Sequence, residues 1–112
     1  MQTKALDMVI QHLSHTFQFD HKETEKLLKL LRRTLGDAVP NLRSSDTERV
    51  YQQAHKLHSE LHSCGYDRLS DMAESIERQA KTGTVGETVI NEFLVQASDF
   101  ASEIDRWLVA NA

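Results

Sequence analysis

Apolar residues recur at three- and four-residue spacing along almost the whole of this chain. Little breaks the pattern, since 112 residues contain one proline and four glycines. A side chain returns to the same face of an α-helix every 3.6 residues, whereas a half-buried strand needs strict alternation. No run of alternating β-branched residues with hairpin turn signals is present, so the sequence predicts long amphipathic helices and no sheet.

Leu6, Val9, Ile10, Leu13 and Phe17 define a first short helix over roughly Gln2 to Thr16. Asp20 and Glu23 form a capping-box pattern that opens a second, with Leu27, Leu28, Leu31, Leu35, Val39 and Leu42 in phase. Pro40 lacks an amide hydrogen and clashes with the carbonyl of Gly36, which predicts a kink or an early end there. The break at Ser44 to Thr47 is followed by Ser45 and Glu48, an S-x-x-E box that introduces a third helix from about Asp46 to Ser63. Gly65 suits the left-handed position that closes this helix, and Tyr66-Asp67 starts the next one after a tight turn. Leu69, Met72, Ala73, Ile76 and Ala80 make its core stripe, and Gly83 ends it. Thr84 with Glu87 repeats the capping pattern before a long last helix carrying Val89, Ile90, Phe93, Ala97, Phe100, Ala101, Ile104, Trp107 and Leu108. The expected fold is all-α: an antiparallel four-helix bundle with short loops and an additional N-terminal helix closing one end. A single domain over residues 1–112, with one core, suits this length.

Charge narrows the functions open to such a bundle. The net charge is −4 with acids and bases interleaved, which offers no field for a phosphate backbone, so nucleic acid is not an expected partner. Lys26, Lys29, Arg32 and Arg33 lie opposite the apolar stripe and read as a solvated face. Asp7, Gln11 and His12 interrupt the apolar run of Ala5 to Leu13, and no 18-residue apolar run occurs, so neither export nor a membrane span is expected. The one cysteine, Cys64, falls on a core stripe and reads as a small hydrophobe in a reducing compartment. A cytoplasmic, monomeric, stand-alone domain is the expectation.

The segment Ala54 to Gly65 departs from an ordinary solvated helix. Val50, Ala54, Leu57, Leu61 and Cys64 share its core stripe, while His55, His58, Ser59 and His62 share the neighbouring one. Imidazoles so concentrated point to proton or nucleophile chemistry near neutral pH. His12 and His15, three apart on the first helix, read as surface. His55, His58 and His62 also resemble metal ligands in type, but residues 55 and 62 are about 10 Å apart in rise, so one ion cannot take all three from a straight helix. A His58–His62 pair would need ligands from another helix. The turn at Cys64-Gly65-Tyr66 brings His55 level with Ile76, Glu77 and Arg78. Glu77 can then accept a hydrogen bond from one imidazole nitrogen and hold the other outward, the orienting arrangement of a nucleophilic histidine.

The residues Ala54-His55-x-Leu57-His58-Ser59, with Gly65 ten positions after His55, then Leu69, Ile76-Glu77 and Gly83, resemble the histidine phosphotransfer (HPt) domains of two-component phosphorelays. The resemblance extends from about Phe17 to Leu108. It implies the same four-helix bundle with an extra N-terminal helix, and His55 as phosphoacceptor. Supporting roles fall to His58, Ser59 and Glu77, and a structural one to Gly65. The partners implied are a response-regulator receiver domain, a hybrid histidine kinase, or both. Such a protein is a phosphocarrier, not an autonomous enzyme, and has no cofactor of its own, the Mg²⁺ coming with the receiver. Where the family usually has Lys and Gly three and four residues after the histidine, this chain has His58 and Ser59, and Glu60-Leu61 replaces the small residues that commonly follow. Two alternatives remain open at this level: an HPt-like adaptor that binds receivers without phosphotransfer, and a histidine-rich metal-binding bundle.

Overall fold

Five helices follow one another in the computed structural model, which describes residues 5–111: α1 Ala5–Phe17, α2 His21–Leu42, α3 Thr47–Ser63, α4 Asp67–Lys81 and α5 Glu87–Ala110. The part of the first expected helix over residues 2–4 lies outside the described residues. Among the described residues there is no strand.

The start of α2 follows the sequence pattern closely. Asp20 accepts from the Glu23 amide at 2.8 Å while the Glu23 carboxylate accepts from the Asp20 amide at 3.2 Å, satisfying two otherwise orphaned donors. The other two expected capping boxes do not form. Asp46, not Ser45, caps α3, accepting from the Glu48 amide at 3.0 Å, and Ser44 Oγ accepts from the Asp46 amide. A carboxylate at this position also complements the positive end of the helix dipole, an advantage a serine lacks. At α5 the cap is Gly86 without a side-chain bond; its amide donates instead to Gln79 Oε1 on α4 at 2.8 Å. The Thr84 box is therefore replaced by a contact between helices.

Pro40 does not end α2 on the spot, for the helix continues to Leu42. Proline removes only the hydrogen bond to the Gly36 carbonyl, and the last turn is anchored by buried Leu42 and by Asn41, whose amide donates to Gln53 Oε1 on α3 at 2.8 Å.

The four longer segments close a ring in which α2 packs on α3, α3 on α4, α4 on α5 and α5 on α2. Its centre is filled by Leu28, Leu57, Leu61, Leu69, Ile76, Phe93, Phe100 and Ile104. Each such aliphatic or aromatic side chain contributes about 1.5–3 kcal/mol on leaving water. Two residues in helical phase face outward. Val39 is 41% exposed because Ala38 takes the inward position, and Phe17 is 47% exposed because it lies past the bundle at the end of α1.

Helix α1 closes one end through Leu6, Val9 and Leu13, packing on α5 and on the α3–α4 turn. Trp107, near the end of α5, packs against His21 at the start of α2 in a tilted arrangement with 5.3 Å between ring centroids. Gly65 makes the turn possible twice over. Its φ of +86° is a conformation L side chains rarely adopt, and a Cβ there would sit 2.6 Å from His12 Cγ. Substitution Gly65→Ala is expected to destabilise the fold by about 2–4 kcal/mol, combining left-handed strain with the clash. Adding His12→Ala should relieve the clash with the ring atoms but leave the contact with the residue 12 Cβ at 2.9 Å and the strain, so it restores only part of the loss, a difference that urea unfolding of the single and double variants measures.

Candidate functional site

Three of the sequence-selected side chains meet on the α3–α4 face. The α3–α4 turn runs α4 back beside α3, so residue 77 comes level with residue 55 as the turn geometry predicts. His55 Nδ1 lies 2.6 Å from Glu77 Oε1, and His58 Nδ1 lies 3.3 Å from Glu77 Oε2. The carboxylate is thus shared between two rings. Glu77 is nearly buried, with a side chain 12% exposed, whereas the His55 side chain is 58% exposed. A carboxylate accepts only from N–H, so ionised Glu77 holds a proton on His55 Nδ1, and in the neutral imidazole Nε2 then carries the lone pair.

Electrostatics favour the ionised carboxylate. Burial pushes Glu77 up, but the hydrogen bonds and charge of His55, and then of His58, outweigh it and hold the group below its ordinary value of 4.5. Burial is also what raises the Cys64 thiol; Cys64 is 3% exposed and donates to the Leu61 carbonyl, which makes it an inert part of the core.

Several neighbours shape the site without being evident in the sequence. Tyr51, one turn before His55, stacks on its ring at 6.1 Å and 15°, and Lys81 Nζ lies 5.6 Å from the Tyr51 centroid. Glu74 Oε2 lies 3.5 Å from His58 Nε2. Ser70 Oγ donates to the His58 carbonyl at 3.0 Å, locking α4 against α3 at this level. A one-turn spacing flags Tyr51 and Glu74 only after the register is known. Ser59 is exposed and, among the described residues, makes no hydrogen bond to this cluster. His62 stands apart, its Nδ1 3.6 Å from Asp67 Oδ1 at the surface.

Beside the histidines lies an apolar groove of about 350 Å³ between the first half of α2, the end of α3 and the end of α1. Phe17, Phe19, Leu27 and Leu30 line it, with Ser59 and Ser63 in the α3 wall. Leu30 is 55% exposed. Among the described residues no three His, Cys, Asp or Glu side chains are grouped so as to hold a metal ion, and no helix is long and apolar enough to cross a membrane.

The fold is thus a helical bundle with an exposed histidine oriented by a nearly buried glutamate. The family model of the Hpt domain matches residues 21–107, and the chain belongs to that family. The match opens at the first residue of α2, so the ring of α2 to α5 is the family portion and α1 lies before it. No curated protein and no solved structure shows significant similarity to the chain. Hpt domains carry out histidine phosphotransfer in phosphorelays, where they interact with receiver domains and kinases.

The Glu77 pairing carries a defined pH dependence. Its contribution is fully present above the ordinary value of 4.5 and is lost as pH falls through the lower folded value. Glu77→Gln is therefore expected to cost about 1–2 kcal/mol near neutral pH. The gap from wild type should shrink as pH is lowered below 4.5, in chemical unfolding followed across the acid range.

Proposed function

We propose that His55 is the phosphoacceptor of this Hpt domain and exchanges a phosphoryl group with the aspartate of a response-regulator receiver domain. The observation that carries this reading is the 2.6 Å pairing of His55 Nδ1 with Glu77, which leaves Nε2 as the free nucleophile on an exposed ring. In the forward step the Nε2 lone pair attacks the phosphorus of a receiver aspartyl phosphate in line. The N–P bond forms as the P–O bond to aspartate breaks, and the electron pair leaves on the aspartate carboxylate. Nδ1 keeps its proton, donated to Glu77 throughout.

Positioning and charge neutralisation do most of the work in phosphoryl transfer, so a rigid helix surface is a sufficient platform. The Mg²⁺ that balances the phosphoryl charge comes with the receiver, and no cofactor is required of this chain. Stacked Tyr51 and bonded Glu77 restrict the His55 ring from two sides. Ser59, one turn further along, presents its hydroxyl to the phosphoryl oxygens. The apolar groove reaches Ser59 and supplies the docking face for the receiver, with Phe17 and Leu30 as exposed anchors.

Incubation with a panel of phosphorylated receiver domains should place acid-labile label on the wild-type chain and none at this position in His55→Gln. A wild type that binds a receiver and stays unlabelled with every one would replace transfer with a purely adaptor role. Leu30→Asp should keep the fold, since the residue is at the surface, and weaken receiver binding by roughly tenfold or more in titration calorimetry.

A further inference from the structure

His58 is placed differently from the other histidines of α3. Its side chain is 30% exposed, and both ring nitrogens face carboxylates: Nδ1 is 3.3 Å from Glu77 Oε2, and Nε2 is 3.5 Å from Glu74 Oε2. A neutral imidazole has one N–H and one lone pair, so when it donates to Glu77 it turns a lone pair toward Glu74. Only the imidazolium presents an N–H to both carboxylates, hydrogen-bonded to Glu77 and within ion-pair distance of Glu74. From α4, the charged groups facing His58 are Glu74 and Glu77. On its own helix, His55 and His62 stand about one turn to either side, with His62 directed to Asp67.

This arrangement couples the two rings through one carboxylate. With His58 protonated, the charges of Glu74, Glu77 and His58 sum to −1; with His58 neutral they sum to −2. Transfer of a phosphoryl group to neutral His55, with Nδ1 keeping its proton, adds a net charge of about −1, with the negative charge concentrated on the phosphoryl oxygens within a helical turn of that cluster. The proton on His58 therefore decides how much negative charge the phosphorylated state of His55 must tolerate.

We propose that His58 is a proton-dependent positioning residue for His55: protonated, it bridges Glu74 and Glu77 and favours phosphoryl acceptance, and on losing its proton it disfavours it. This rests on His55 being the phosphoacceptor. The phosphoryl-carrying capacity of the domain is then set by ambient pH as well as by its partners. For one unit charge a helical turn away at a largely solvated site, the change amounts to roughly three- to tenfold.

The test uses the full chain and phosphoramidate as the donor, which removes any pH dependence belonging to a receiver. The His55 imidazole displaces ammonia from phosphorus, forming the N–P bond as the donor P–N bond breaks. Labelling at His55 is resolved from that at the other histidines by peptide mass spectrometry, with His55→Gln as background. Rates and end points are compared for wild type, His58→Lys and His58→Gln from about pH 5.5 to 8.5, a range spanning ordinary imidazole titration. All share the intrinsic pH dependence of the donor and of His55, so ratios between them isolate residue 58.

Wild type is expected to follow His58→Lys at the acid end and His58→Gln at the alkaline end, the ratio to His58→Lys falling roughly three- to tenfold across the range. A ratio to His58→Lys that stays constant with pH overturns the inference and leaves His55 as acceptor intact. No label at His55 in wild type at any pH overturns the acceptor reading itself, and the inference with it.

Discussion

The hydrogen bond between His55 and Glu77 is the contact on which the rest of the site depends. A carboxylate with its side chain only 12% exposed is costly to ionise unless it is paired, and here both oxygens find an imidazole nitrogen. The same bond dictates which nitrogen of His55 keeps its proton. The pairing of the buried carboxylate and the placement of the His55 proton are thus joined in one interaction. Its geometry requires α4 to return beside α3 with residue 77 level with residue 55, and that return is made by Gly65 in a left-handed conformation under the His12 ring.

Helix α1 takes part in more than closing the bundle. Leu6, Val9 and Leu13 extend the core, His12 covers the turn glycine, and Leu13 and Phe17 reach the groove that continues to Ser59. The family match starts at α2, so this helix adds to the common bundle both a cover for the critical turn and a wall of the apolar face. The histidine cluster and the apolar groove lie on adjoining strips of α3. On a helix, residues three or four apart share a face, and a one-residue step turns by about 100°.

Much of this was legible in the chain itself because its physical causes are local. Apolar phase located five helices, and Gly65 and Gly83 marked the turns because positive φ is cheap only for glycine. The antiparallel return predicted the level of Glu77 by counting residues either side of the turn. What escaped has non-local causes. Gly86 replaces Thr84 as a cap because Gln79 of the neighbouring helix reaches its amide, and α2 passes Pro40 because Leu42 and Asn41 are held by the bundle. Glu74 and Tyr51 gain importance only when a side chain on the same or the facing helix is placed against them.

The sequence by itself determined the all-α class, the order of the helices, the tight α3–α4 turn and the candidacy of His55, since periodicity, glycine and spacing act over a few residues. Only the tertiary structure decided how the three histidines of α3 differ. His55 stands exposed with one nitrogen held, His58 lies between two carboxylates, and His62 is at the surface beside Asp67. The physical reason is that an imidazole takes its role from the groups its nitrogens face, and for His55 and His58 those groups belong to another helix.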